Sequence, residues 1–173
     1  MSFRRLRGGS YLEGKRVKIG LGWDQHPFQE GRSLVLGGVE IPYEKGLFGH
    51  SDADVVVHAL CDALLGGANL PDLGTLFPPE NDRFRGVSSL RLLEEVMKKV
   101  KEKGFVLGNV DIVIIAQSPK LSPFIERMKE VLSEKLGISK EEISIKAKSP
   151  EGLGAIGRGE GIEALAVALL YET

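Results

Sequence analysis

HSDADVVVHALCDALLGGA, residues 50–68, reads as a helix with a polar entrance. Ser51 stands three residues before Asp54, a capping-box-like pair ahead of an apolar run. The run should stay helical to about Leu65 and stop at Gly66-Gly67. Upstream, RVKIGLGWD (residues 16–24) alternates as a strand does, and SLVLGGVEIPY (residues 33–43) reads as a hairpin turning at Gly37-Gly38. Downstream, residues 69–86 are turn-rich and read as a loop. SSLRLLEEVMKKVKEKG (residues 88–104) is an amphipathic helix with a serine cap, apolar Leu90, Leu93, Met97 and Val100, and a stop at Gly104. FVLGNVDIVIIAQ (residues 105–117) is apolar enough for a central strand. Ser122 at an N-cap and Pro123 behind it start a further helix, EISIKAK is a strand, and IEALAVALL is a closing strand that periodicity alone could also read as helix.

That order predicts an α/β (α+β) fold: a mixed four-stranded sheet with helices packed on one face. Residues 1–15 read as a flexible extension and residues 16–173 as a single domain, a length that suits one core. Net charge is -1, so no overall field favours nucleic acid or an anionic membrane. The single cysteine, Cys61, excludes a disulfide framework and a cysteine-built zinc site. No apolar run is long enough to span a membrane and no signal-peptide core is present, so a cytoplasmic protein is expected.

The three histidines, His26, His50 and His58, all fall between residues 26 and 58. Asp24 and His26, two apart on a strand, share a face. Asp54, His58 and Asp62, spaced by four, share a helical face. If the two faces meet, Asp24, His26 and His58 form a two-histidine, one-carboxylate set that suits Zn²⁺ with an open fourth position. Asp62 could then orient His58 or another ligand. The plainer alternative is a solvated strand end and a structural histidine. A second candidate is SPEGLGAIGRGEG, where Gly152, Gly154, Gly157, Gly159 and Gly161 could expose backbone amides beside the phosphate donors Lys148, Ser149 and Arg158. Glu151 among them makes sense if Mg²⁺ bridges it to phosphate. The alternative there is a flexible turn.

GWDQHPF, IPYEKGLFGHSDADVVVHALCDALLGG, LPDLGTLFP, LGNVDIVIIAQSPK and GRGEGIEALAVALL together resemble the 2-C-methyl-D-erythritol 2,4-cyclodiphosphate synthase family, from about Val17 to Leu170. The resemblance implies a homotrimeric enzyme of the non-mevalonate isoprenoid pathway with active sites between subunits. It would cyclise 4-diphosphocytidyl-2-C-methyl-D-erythritol 2-phosphate with release of CMP. It implies zinc on Asp24, His26 and His58, and Mg²⁺ or Mn²⁺ on Glu151. Substrate contacts would come from Gln25, His50, Ser51, Asp72, Leu73, Gly74 and Phe77. His50 would steady the transition state. Ala116, Gln117, Ser118, Pro119, Lys120 and Leu121 would form a cytosine pocket given by a neighbouring subunit. Lys148, Ser149 and Pro150 would meet the nucleotide phosphates, with Ser149 also catalytic. Arg158 and Glu160 would line a central cavity able to hold an isoprenoid diphosphate. FPPEN and KSPE depart from the family's usual residues, which bears on contacts by Pro79 to Asn81 and by Lys148. The rival chemistries are a zinc phosphohydrolase and a trimeric binding protein for isoprenoid diphosphates.

Overall fold

A computed structural model describes residues 16–78 and 86–173. The N-terminal extension and the contacts of Pro79 to Asn81 lie outside the described residues. The strands are β1 (Val17–Glu30), β2 (Leu34–Leu36), β3 (Val39–Ile41), β4 (Lys45–Leu47), β5 (Phe105–Ile115), β6 (Ile143–Lys148) and β7 (Gly161–Glu172). The helices are α1 (Val55–Gly67), α2 (Leu73–Leu76), α3 (Ser89–Glu102), α4 (Ile125–Leu136) and α5 (Gly154–Gly157).

The main sheet has five strands in the order β4-β1-β7-β5-β6, one more than expected. The extra strand follows from the length of β1. Its sequence reads as ending at Asp24, because Asp and Pro are poor strand formers. In the fold it continues to Glu30, paired with β7 as far as Pro27↔Gly161 and then with β4 from Phe28↔Leu47. Asp24 and His26 therefore sit within a long strand. The sheet is mixed, with β5 and β6 parallel and β1, β7 and β5 antiparallel. β7, whose sequence left helix open, lies at the centre, because Ile162, Ala164, Ala166, Ala168 and Leu170 are buried at a strand's period of two. β2 and β3 form the expected hairpin, with Gly37 and Gly38 both at positive φ, as a tight two-residue turn requires.

α1 begins later than its sequence suggested. Asp54, not Ser51, is the N-cap, and its carboxylate accepts from the N–H groups of Val56 and Val57. The same carboxylate accepts from Gly37 and Gly38 N–H at 2.9 and 2.6 Å, so one buried acid ties the hairpin turn to the helix start. Asp54 is thereby withdrawn from the face of His58 and Asp62. Ten of the thirteen residues of α1 are buried; the other three are His58, Asp62 and Gly66, one stripe at a spacing of four. α1 is thus a core helix with a single polar seam. It packs on β1 and β7, with α3 against it on the outer side.

The caps of the later helices also differ from expectation. The side chain of Ser88 makes no cap bond at α3; Asp52 takes that place, accepting from Ser89 N–H at 3.0 Å. Ser122 begins a short 3-10 turn rather than capping α4, and its side chain makes no cap bond. Apart from Leu92, which lines the cleft described below, the buried apolar side chains of the described residues form one cluster between the sheet and the helices. The opposite face of the sheet is uncovered and apolar: Ile19 and Leu21 are 70% and 67% exposed, and Trp23 and Val167 lie beside them. Among the described residues no helix is long and apolar enough to cross a membrane.

Candidate metal centre and adjoining clefts

Gly20, Gly22, Asp24 and His26 occupy alternate positions of β1 and face α1. The two glycines let the backbones of strand and helix touch, and the next two residues on that face are the candidate ligands Asp24 and His26. His58 projects from the polar seam of α1 to meet them. Asp24 Oδ2 lies 2.9 Å from His26 Nε2 and 3.0 Å from His58 Nδ1, and the two ring nitrogens are 3.2 Å apart. Metal–ligand bonds of about 2.0–2.1 Å imply a tetrahedral edge of about 3.3 Å, so the three atoms need only a small expansion to hold zinc. Two imidazoles and one carboxylate, leaving one position for another ligand, are also the right donor types. The residues fit the metal.

Electrostatics bind the triad together. Burial pushes the Asp24 carboxyl up, but hydrogen bonds and charge from His26 and His58 outweigh it and hold the pKa down to about 2. Burial pulls His58 down, and the hydrogen bond and charge of Asp24 reverse that to a net rise. Asp62 does not orient His58 as expected. It accepts from Leu73 N–H at 2.8 Å, at the start of α2. The other ring nitrogen of His58, Nε2, faces the hydroxyls of Ser89 and Ser51 at 2.9 and 3.2 Å.

The triad lies at the side of a cleft of about 360 Å³ lined also by Phe48, Gly49, His50, Ser51, Asp62, Leu73, Gly74, Phe77 and Leu92. The His50–Ser51 segment is clamped: Arg32 donates to the carbonyls of Gly49 and Ser51 at 2.6 and 2.5 Å, and Gly86 N–H donates to the His50 carbonyl. Asp72 is the N-cap of α2, accepting from Thr75 N–H at 2.7 Å, and stands outside the cleft lining. Gln25, one residue from Asp24, points to the other face of β1 by strand alternation. It borders a second hollow with Ala155, Ile156 and Glu160, which meets the metal-site cleft at His26.

Ala116, Gln117, Ser118, Pro119, Lys120 and Leu121 gather beyond the end of β5, with Lys148 and Ser149, around a second cleft of about 400 Å³. Among the described residues the two clefts share no lining residue. Pro150, Glu151 and Arg158 line neither. The glycine-rich segment is not the open ring of amides expected from its sequence. Gly157 and Gly159 donate to Leu153 and Ile156 carbonyls as α5 closes on itself, Gly152 donates to Gln117 Oε1 at 3.0 Å, and Gly161 is already in β7. Glu151 stands at φ 53 with its N–H on Ser149 Oγ, and Arg158 pairs with Glu160 at 2.6 Å on the surface.

Sequence reading missed Ser89, Asp52, Arg32 and Phe48. Ser89 falls in the stretch that reads as a serine-capped helix, and Asp52 lies between Ser51 and Asp54 with no signal of its own. No local pattern shows that a residue 31 positions after His58 touches its ring.

A mixed α/β sandwich with a two-histidine, one-carboxylate cluster beside an open cleft is the arrangement of a candidate metal centre accessible to a small molecule. Residues 17–171 match the YgbB family, and the chain belongs to that family. It is 54% identical over 156 residues to the 2-C-methyl-D-erythritol 2,4-cyclodiphosphate synthase of Carboxydothermus hydrogenoformans, covering 90% of this chain and 96% of that one. To the synthase of the same name from Moorella thermoacetica it is 53% identical, over 90% and 96% of the two chains. A solved complex of IspF of Plasmodium falciparum with CDP superposes with a TM-score of 0.80 at 36% identity, covering 91% of this chain and 97% of that one. The bifunctional IspDF of Campylobacter jejuni gives a TM-score of 0.89 at 41% identity, over 92% of this chain and 43% of the longer one.

Proposed function

We propose that this protein converts 4-diphosphocytidyl-2-C-methyl-D-erythritol 2-phosphate into 2-C-methyl-D-erythritol 2,4-cyclodiphosphate, releasing CMP. The observation that carries the reading is the meeting of Asp24, His26 and His58 beside a cleft, in a chain about half identical to synthases of that name. An oxygen of the substrate's 2-phosphate attacks the β-phosphorus, the bond from that phosphorus to the bridging oxygen breaks, and the oxygen leaves with CMP. Such an intramolecular transfer needs positioning and charge neutralisation more than covalent help. Asp24, His26 and His58 would hold Zn²⁺ and Glu151 would hold Mg²⁺ or Mn²⁺, which would supply Lewis-acid neutralisation of phosphate oxygens.

The chain's own residues do the positioning. The clamped His50 and Ser51 hold the erythritol phosphate against the triad, and Phe77 with Leu73 and Gly74 closes the sugar end. Lys120, Lys148 and Ser149 face the cleft that takes the cytidine portion, and backbone groups of residues 116–121 read the base. In this reading the two clefts serve one substrate from different subunits of a homotrimer. Their separate linings within one chain, and the uncovered apolar face of β1 and β7, support that arrangement. The Arg158–Glu160 pair belongs to the trimer axis, where an isoprenoid diphosphate could bind. Residues 16–173 act as one domain, in the cytoplasm. The experiment is to give the zinc- and magnesium-loaded protein its substrate and follow phosphorus by NMR. CMP and cyclodiphosphate in equal amounts are expected. Inorganic phosphate or an open-chain diphosphate would overturn cyclisation.

A further inference from the structure

Ser89 is completely buried at the first turn of α3; its hydroxyl bonds Asp52 and His58, with Ser51 Oγ farther off at 3.4 Å. Asp52 Oδ1 accepts from Ser89 Oγ–H, and Asp52 Oδ2 accepts from Ser89 N–H at 3.0 Å. An ionised carboxylate only accepts, and a serine hydroxyl carries one proton. With that proton committed to Asp52, Ser89 Oγ can only accept from its second partner, His58 Nε2, 2.9 Å away. Nε2 must then carry a proton, which leaves Nδ1, hydrogen-bonded to Asp24 and facing His26, as the nitrogen that can take a metal once its own proton is displaced. Ser51 is a poorer orienter: it lies farther from Nε2, at 3.2 Å, and its oxygen already accepts from Ala53 N–H.

We propose that Ser89 is a positioning residue for the metal centre: polarised by Asp52, it fixes the proton of His58 on Nε2 and thereby presents Nδ1 as the ligand. The proposal rests on the metal reading of Asp24, His26 and His58. It also explains why the start of α3 is tied to residue 52. The carboxylate that caps the helix is the one that aims the histidine, so the docking of α3 and the aim of His58 are set together.

The test is zinc affinity by competition with a chromophoric chelator, together with the visible spectrum of the Co²⁺-loaded protein, for the full chain. Ser89→Ala should weaken zinc about 10–100-fold, the usual scale for a hydrogen-bond partner of a metal-bound histidine, and should alter the cobalt bands. Ser89→Thr, which keeps the hydroxyl, should stay within a few-fold of the unaltered chain. Equal affinity in Ser89→Ala, or equal loss in both variants, would overturn the proposal; failure of the unaltered chain to bind zinc would overturn the metal reading instead. Should Ser89→Ala not fold, the unaltered zinc-loaded chain still decides. ¹⁵N NMR of labelled histidine should show a His58 Nε2–H that exchanges slowly with water, and rapid exchange would reject a buried acceptor.

Discussion

Gly22 of β1 lies directly beneath Ala59 of α1: a Cβ built on Gly22 would stand 1.9 Å from the Ala59 carbonyl oxygen. One turn on, Gly20 bears the same relation to Ala63 at 1.8 Å. Strand and helix are in backbone contact here, and that contact brings His58 within reach of Asp24. Gly22→Ala cannot be absorbed by a side-chain rotation, because the obstacle is backbone. It should destabilise the protein at the upper end of overpacking costs, about 3 kcal/mol, and weaken zinc binding at the same time. A denaturant midpoint and a zinc titration on one sample check both; lost stability with unchanged zinc affinity would detach the glycine from the site.

His58→Ala removes one of three ligands. Zinc retained through dialysis should fall to near background, a larger effect than the about 10–100-fold expected of outlying partners, and turnover should fall with it. Elemental analysis together with a CMP-release assay reads this.

The metal-free protein should respond to pH in the opposite sense to metal binding. Asp24 raises the pKa of His58 above its unfolded value near 6.5. The folded chain therefore holds a proton that the unfolded chain has lost. The resulting stabilisation is complete below about pH 6.5 and disappears as pH rises through the raised value. Zinc must displace that proton, so its affinity should climb across the same interval. Melting curves of chelator-treated protein and zinc titrations over a pH series would show the crossing; parallel trends would contradict it.

Arg32→Ala removes two charge-assisted bonds from the His50–Ser51 segment. The cost should be about 1.5–3 kcal/mol per bond at most, and turnover should drop about tenfold or more while bound zinc stays unchanged. Loss of zinc alongside turnover would mean that Arg32 supports the whole site rather than this loop.

Leu21→Glu places a charge in the middle of the uncovered sheet face, where the side chain is now 67% exposed. The folded monomer has room for it. A homotrimer that buries this face does not. Sedimentation should show a shift to monomer with an unchanged far-UV spectrum, accompanied by loss of turnover, because each active site would lack its second half.

Much of this fold could be read in the chain. The alternation of β1 and β5, the Gly37-Gly38 turn, the apolar run of α1 and the stripe of α3 are local signals, and each element stands where its period put it, within a few residues. The three side chains of the candidate metal centre were legible too, since a spacing of two on a strand and a position on one helix face need only local geometry. The continuation of β1 to Glu30 was not. Asp24, His26 and Pro27 read as a strand end, and only pairing with β7 and β4 holds them extended. The capping residues were misassigned for a related reason. A cap is decided by which acid reaches the free N–H groups, and Asp54 and Asp52 reach them through contacts with the hairpin turn and with α3. Sequence by itself therefore determined which side chains could hold a metal and on which elements they ride. Tertiary structure alone decided that Gly20 and Gly22 let those elements touch, and that Ser89, from a third element, aims the last ligand. Period and composition act over a few residues, whereas close approach and the direction of a proton depend on what the rest of the chain packs beside them.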